Sequence, residues 1–224
     1  MRTLTSIKHL MSAITNIAPN QTLSIEDIAD GKTHVEREHV FYGYLKDFTQ
    51  LSKAASKEKQ EQWEIKLPKT ENNIGSGGVR VRRTEIDGNV EYTLTAKVRT
   101  EDEDAKLEAT CQASEDLFNL FAMLAQSGMR KVRYNFPTKN TAGDDIVFEV
   151  DVFILDSGEF SPWCKIDVEV PDENTQIPVF PLQFDKLIKQ GSENTDSERS
   201  LIRGLYDEIF LTKKRNITMP DKSV

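Results

Sequence analysis

The first part of the chain places apolar side chains at helical spacing. They recur at every third or fourth position over 4–14 and again over 41–51. A break at Pro19 and a helix start at Ser24 lie between the two runs. The pattern predicts a helical segment over residues 1–58, whose apolar stripes pack against the rest of the chain or join two copies as a homodimer.

From Trp63 onward, apolar and polar residues alternate with a period of two, which is typical of strands. Seven strands are predicted over 62–67, 79–84, 90–99, 105–111, 129–136, 145–155 and 161–171, with a weaker eighth over 177–183. Eight strands are enough to close a barrel.

Turn and helix signals separate these strands. Asp87-Gly88 predicts a hairpin turn, and a helix is predicted over 114–128. The polar tail ends in a second helical stripe over 201–210. We therefore expect an α+β fold in which residues 59–224 form an eight-stranded antiparallel β-barrel with flanking helices, preceded by the N-terminal helical extension.

Ionisable residues occupy one face of the predicted strands, because residues at i and i+2 point the same way. They are Glu64, Lys66, Arg80, Arg82, Lys97, Glu108, Lys131, Arg133, Glu149, Asp151, Lys165, Asp167 and Glu169. The other face is apolar, most clearly at Phe148 and Val150. A charged sheet face is ordinarily a solvated one. Its repetition on successive strands favours a sheet that curls with the charges inside, where an anionic guest and divalent metals would satisfy them.

The overall charge limits what the protein can bind. With 29 Lys and Arg against 37 Asp and Glu, the net charge is −8, which argues against binding along duplex DNA. No apolar run suits a membrane span and the charged first residues do not suit a secretory signal, so we expect a cytoplasmic protein with no membrane partner. Cys111 and Cys164 are expected to be free thiols, since no Cys-x-x-Cys spacing occurs.

Six motifs follow one another along the predicted strands. They are Gln62-Trp63-Glu64-Ile65-Lys66, Arg80-Val81-Arg82, Thr95-Ala96-Lys97 with Glu108 after it, Lys131-Val132-Arg133-Tyr134, Glu149-Val150-Asp151-Val152-Phe153 and Asp167-Val168-Glu169. In order and alternation they resemble the CYTH family, the triphosphate tunnel metalloenzymes, over roughly residues 62–171. The resemblance implies an eight-stranded antiparallel barrel that binds triphosphate in its interior.

The resemblance also implies roles for these side chains. Phosphate oxygens would be bound by Lys66, Arg80, Arg82, Lys97, Lys131 and Arg133. One or two Mg²⁺ or Mn²⁺ ions would be held by Gln62, Glu64, Glu108, Glu149, Asp151, Asp167 and Glu169, with Glu64, Asp167 and Glu169 as the catalytic residues. The metal would polarise the terminal phosphoryl group and orient a water for in-line attack, so the implied activity is a metal-dependent triphosphatase.

One residue departs from the family pattern. The first glutamate of its Glu-x-Glu-x-Lys motif is Gln62 here, whose amide oxygen can coordinate a hard cation but brings no charge. Three functions therefore stay open: hydrolysis of inorganic triphosphate, a nucleotide, thiamine triphosphate or an RNA 5′ end; an adenylate-cyclase-type nucleotidyl cyclase on the same scaffold; and a noncatalytic polyphosphate- or nucleotide-binding module. The sequence does not separate them.

Overall fold

The computed structural model describes residues 32–66, 77–99, 105–125, 127–170 and 174–212. Within these ranges the strands are β1 (Lys32–Tyr44), β2 (Ser56–Lys66), β3 (Gly77–Ile86), β4 (Asn89–Arg99), β5 (Ala105–Gln112), β6 (Ser127–Lys139), β7 (Asp145–Ile154), β8 (Phe160–Glu169), β9 (Lys186–Lys189) and β10 (Leu211–Thr212). The α-helices are α1 (Glu115–Leu124) and α2 (Asp196–Ile209), and a 3₁₀ helix spans Phe48–Lys53. No helix in the described ranges has the length and apolar character needed to cross a membrane.

The strands form one antiparallel sheet, in the order β6–β2–β3–β4–β5–β1–β8–β7. β7 pairs in addition with β6, so the pairing order returns to its first strand. Each of these eight strands therefore has a hydrogen-bonded neighbour on both sides. β9 adds to β1 and β10 adds to β6. The predicted antiparallel sheet with few helices is confirmed.

Seven of the eight predicted strands are present as β2 to β8. The eighth prediction is wrong, because residues 177–183 are described and contain no strand. Its place in the sheet is taken by β1, which lies between β5 and β8.

β1 also corrects the helical prediction for the N-terminal segment. Phe41 packs into an apolar cluster on one side of β1, whereas the hydroxyl of Tyr42 reaches Tyr206 on the other. Where a strand is buried on both faces, apolar and polar residues do not alternate. The apolar residues at the end of β1 therefore have the three- and four-residue spacing that is typical of a helix. The boundary predicted after residue 58 falls inside β2, and the helices predicted within residues 1–31 lie outside the described residues.

Apolar side chains cover one face of the sheet, which we call the apolar face. Val152 and Ile166 are fully buried in a cluster on β7 and β8. α1 covers a second cluster, where its Phe118 packs with Val81 and Leu94. Burial of each such side chain stabilises the fold by about 1.5–3 kcal/mol. The opposite face, which we call the charged face, carries the ionisable residues.

Local sequence signals set the ends of several elements. The Ser114 side chain accepts a hydrogen bond from the backbone three residues later and caps α1, as predicted. Thr195 and Glu198 form a capping box at the start of α2. Asp87 and Gly88 both have positive φ, 50° and 82°, which a tight turn between β3 and β4 requires.

α2 lies against the charged face rather than the apolar one. Its Leu205 and Ile209 pack on Met129 and Phe153, which share the strand parity of Lys131 and line the same cavity. The helix therefore covers part of the charged face with apolar contacts.

Candidate functional site

One cavity of about 1190 Å³ lies against the charged face of the sheet. All thirteen predicted site residues line it: Gln62, Glu64, Lys66, Arg80, Arg82, Lys97, Glu108, Lys131, Arg133, Glu149, Asp151, Asp167 and Glu169. They come from seven strands, β2 to β8. The structure brings the predicted residues together around one volume, and their roles in binding or catalysis remain predictions.

The register of the strands explains why these side chains meet. Residues directly opposite each other on antiparallel strands have neighbouring Cβ atoms on the same face. Gln62 lies opposite Arg82, and Asp151 lies opposite both Arg133 and Lys165 on its two neighbouring strands. A one-residue slip of any strand would turn its charges onto the apolar face.

The cations on β6 and β8 are held by carboxylates within one group of residues. We call this group the paired wall: Lys131, Arg133, Glu149, Asp151, Lys165 and Asp167. Lys131 forms an ion pair with Asp151, and the two residues are only 4% and 1% exposed. Arg133 reaches the same carboxylate, with Nε 2.7 Å from Oδ1 and Nη2 2.9 Å from Oδ2, and also bonds Glu149. Asp151 is therefore shared between two cations.

Lys165 and Asp167 complete the paired wall on β8. The ammonium of Lys165 donates hydrogen bonds to both carboxylate oxygens of Asp167. Nη2 of Arg133 lies 3.6 Å from the same carboxylate. Each buried charge in this wall has an opposite charge beside it, which is the arrangement that makes burial tolerable.

The pKa values in the paired wall follow from these contacts. Burial alone would raise the pKa of Asp151, but Lys131 and Arg133 hold it well below its ordinary value. Burial alone would lower the pKa of Arg133, but Asp151 and Glu149 raise it well above its ordinary value. Burial dominates at Glu149 and raises its pKa. The charged forms of Asp151 and Arg133 thus stabilise each other.

β2, which pairs with β6, and its neighbour β3 present a different group, Gln62, Glu64, Arg80 and Arg82, which we call the open wall. Within the described residues Arg82 forms no ion pair, and its Nε has no hydrogen-bond partner. Burial, together with the neighbouring Arg80 and Arg133, lowers the pKa of Arg82 to about 9. The buried amide oxygen of Gln62, directly opposite, also has no hydrogen-bond partner in the described part of the chain. Buried polar atoms nearly always have partners, so these two unsatisfied atoms mark the open wall as a candidate binding surface.

The side chain of Glu64 occupies the space beside Gly78 on β3, which has no side chain of its own. Its Oε1 lies where only glycine leaves space, since a Cβ on Gly78 would come within 2.6 Å of it. Glu64 forms no ion pair among the described residues. Its carboxylate therefore faces the cavity without a cation of its own.

The remaining predicted residues lie at the side and edge of the cavity. Lys97 on β4 forms an ion pair with Glu108 on β5. Lys66 and Glu169 are exposed, at the ends of β2 and β8. These positions extend the charged lining from the buried interior toward solvent.

Sequence reasoning missed the cavity residues of β1 and α2. Glu38 lines the cavity from β1. The spacing of Glu36 and Glu38 in the sequence is the one signal of strand alternation in this segment. Arg199, Arg203 and Tyr206 line it from α2, at a spacing that places them on one helix face. The Tyr206 hydroxyl lies 2.5 Å from that of Tyr42, which joins α2 to β1.

The Mg²⁺ or Mn²⁺ implied by the family resemblance can be tested against this arrangement. Carboxylate and amide oxygens are the donors such hard cations prefer. Yet Asp151 and Asp167 are already bound by lysine and arginine, and Gln62 is neutral. The described residues contain no group of three His, Cys, Asp or Glu placed to hold a metal ion. The residues as arranged do not fit a divalent metal.

Two solved structures have a loosely similar shape. The PH1819 protein from Pyrococcus horikoshii OT3 is 18% identical with a TM-score of 0.43, over 79% of this chain and 94% of that one. HpAC1 from Hippeastrum, described as an adenylyl cyclase candidate with a dominant triphosphatase activity, is 10% identical with a TM-score of 0.37, over 80% of this chain and 91% of that one. Both TM-scores lie below 0.5, and neither likeness assigns a function. No family model and no curated protein matches this chain.

Proposed function

We propose that the cavity binds the triphosphate group of a small molecule or of an RNA 5′ end, as a tunnel protein of the CYTH kind. The observation that carries the proposal is Arg82, which faces the cavity and forms no ion pair within the described residues. Arg82 is partly buried, and a charge that is withdrawn from water without a partner is costly, so a bound anion would lower that cost. Phosphate suits this position because one guanidinium can bind two of its oxygens at once.

Neighbouring cations lie where the rest of a polyanion would reach. Arg80 is two residues before Arg82 on the same face, about 6.7 Å along the strand. Lys97 lies directly opposite Gly78, beside Arg80. Successive phosphates of one chain can therefore be bound by successive side chains of β3 and β4. The volume of about 1190 Å³ leaves room for a group attached to the triphosphate.

The proposed tunnel is a closed barrel, and the pairing of β7 with β6 supports it. Charges on one face and apolar clusters on the other are what a barrel with a filled polar interior requires. α2 packs on Met129 and Phe153 and so covers one end. The ligand would enter at the other end, where Glu169 is exposed opposite Val147 near the start of β7.

Hydrolysis of the terminal phosphate is the second candidate function, and the position of Glu64 favours it. Its carboxylate faces the cavity and forms no ion pair in the described part of the chain. Such a carboxylate can accept a hydrogen bond from a water and orient that water for in-line attack on phosphorus. Asp167, another predicted catalytic residue, is bound by Lys165, so Glu64 is the better placed of the two.

Thermal unfolding with inorganic triphosphate, with phosphate release measured in the same wells, tests both functions. A ligand at 100 times its Kd stabilises the folded state by about 2.7 kcal/mol. For a chain of this size we expect Tm to rise by roughly 5–10 °C. Sulfate at equal ionic strength is the control for nonspecific anion effects.

A matched pair of arginines locates the binding. Arg82→Ala is expected to remove the shift in Tm. Arg83→Ala is expected to retain it, because Arg83 has the opposite strand parity and pairs with Glu85 at 3.2 Å. Equal losses from the two variants, or no shift in the wild type, would contradict the proposal.

Product analysis separates the functions that share this site. Phosphate release that Glu64→Gln abolishes identifies a hydrolase. A cyclic nucleotide formed from ATP identifies a cyclase. A shift in Tm without any product identifies a binding module.

A cytoplasmic location is part of the proposal. Both cysteines are free, and burial raises the pKa of Cys164 to about 12. Free thiols persist in reducing compartments, which supports the location. Fluorescence microscopy of a tagged full chain expressed in cells is the direct test.

A further inference from the structure

Lys165 occupies the place where the family resemblance puts a divalent metal. Its ammonium bonds both carboxylate oxygens of Asp167, and Asp151 lies directly opposite it on β7. The two aspartates are among the most buried charged residues of the described chain, at 4% and 1% exposed. The ammonium thus bonds one of the predicted metal ligands and lies directly across the strand pair from a second.

Two further cations surround the same aspartates. Lys131 and Arg133 both bind Asp151, and Nη2 of Arg133 lies 3.6 Å from Oδ2 of Asp167. Arg133 also pairs with Glu149, so three carboxylates face three cations and the group is already neutral. A divalent ion entering here would bring two more positive charges into a buried space, where like charges repel strongly.

From this geometry we infer that Lys165 is a built-in cation that replaces a divalent metal, so that the cavity binds its polyanion without Mg²⁺ or Mn²⁺. The neutral side chain of Gln62 agrees with this, because the open wall also lacks the charge of one predicted metal ligand. The class of ligand rests on the proposed function. The exclusion of metal does not, since it follows from ion pairs within the protein itself.

Mn²⁺ binding measured by electron paramagnetic resonance on the full chain, with no phosphate present, tests the role of Lys165. The wild type is expected to bind Mn²⁺ weakly. Lys165→Met removes the ammonium but keeps a side chain of similar length. This variant is expected to bind Mn²⁺ about tenfold more tightly or better. Lys165→Arg keeps the charge and is expected to behave as the wild type. Lys139→Met, which removes an exposed ion pair with Asp145, is the matched control and should change nothing.

Circular dichroism confirms that each variant is folded before titration, and Lys165→Gln is the second variant should Lys165→Met not fold. Tight Mn²⁺ binding by the wild type overturns the inference even if no variant folds. Equal Mn²⁺ affinity in the wild type and a folded Lys165→Met or Lys165→Gln protein overturns it as well.

The second arm repeats the thermal shift with inorganic triphosphate in EDTA and in Mn²⁺. The wild type is expected to show the same shift in both. A shift that requires Mn²⁺ overturns the inference. Absence of a shift in both conditions instead overturns the proposed function, while the Mn²⁺ titration still decides the role of Lys165.

Discussion

Arg82 and Arg133 face the same cavity, yet their pKa values move in opposite directions. Burial and the neighbouring cations Arg80 and Arg133 lower the pKa of Arg82 to about 9. Burial acts on Arg133 in the same sense, but Asp151 and Glu149 outweigh it and raise its pKa. Both residues are arginines withdrawn from water, so the difference comes from the carboxylates that bond Arg133 and not Arg82.

The comparison extends to the two walls. Among the described residues that line the cavity, nine are lysine or arginine and eight are aspartate or glutamate, so the total charge is close to balance. The paired wall uses its carboxylates to neutralise its own cations. The open wall, with Gln62 opposite Arg82, leaves a guanidinium for a ligand. The paired wall is therefore expected to govern stability, and the open wall to govern binding.

The largest expected effect comes from breaking the paired wall. Asp151→Asn leaves Lys131 and Arg133 without their shared carboxylate, and removing one partner of a buried ion pair costs about 3–5 kcal/mol of unfolding free energy. Urea denaturation at pH 7 measures the loss. Asp145→Asn, which removes an exposed partner of Lys139, is the control and should have a far smaller effect. Equal losses would show that Asp151 is not a centre of stability.

Acid should reduce the contribution of the paired wall to the unfolding free energy. The pKa of Asp151 is lower in the folded than in the unfolded chain, so its stabilising contribution is present above about pH 4 and is lost as the pH falls below it. Asp151→Asn lacks this contribution, and its unfolding free energy should fall less steeply between about pH 5 and pH 2. Glu149, whose pKa is raised, acts in the opposite sense in both proteins. Parallel pH curves would contradict the prediction.

Gln62→Glu should convert the open wall into a second paired wall. The new carboxylate lies opposite Arg82 and is expected to stabilise the ligand-free protein by about 1 kcal/mol, through a hydrogen bond to a charged group. It should also weaken triphosphate binding by about tenfold, measured by calorimetry in EDTA. Gln183→Glu, at an exposed position, is the control. Tighter binding in the presence of Mn²⁺ would instead mark Gln62 as the position of a lost metal ligand.

The smallest effect is expected from Gly78→Ala. The added Cβ displaces the flexible end of Glu64, so the unfolding free energy should change by less than about 1 kcal/mol. The displaced carboxylate moves into the cavity and should weaken triphosphate binding, because it repels the anion. Gly204→Ala is the control. A Cβ at Gly204, which lies in α2, would meet no other atom, so this variant should leave binding unchanged. Unchanged binding in Gly78→Ala would show that Glu64 lies away from the ligand.

Much of the candidate site could be predicted because strand alternation is a local property. Arg80 and Arg82 must share a face whichever strands lie beside β3, and the same holds for Lys165 and Asp167. The second half of β1 could not be predicted in this way, since Phe41 is covered by the apolar cluster and Tyr42 by α2. Burial on both faces removes the polar positions from which alternation is recognised.

The sequence by itself determined which residues of β2 to β8 share the charged face, that Ser114 starts α1, and that many charges would lie together. Only the tertiary structure decided which of those charges neutralise one another. Arg82 and Arg133 both follow a cation two residues earlier, so their local sequences do not distinguish them. β7 brings Asp151 beside Arg133, whereas β2 brings Gln62 beside Arg82. Coulomb energy depends on the distance across neighbouring strands, and that distance is set by the strand order and register of the sheet.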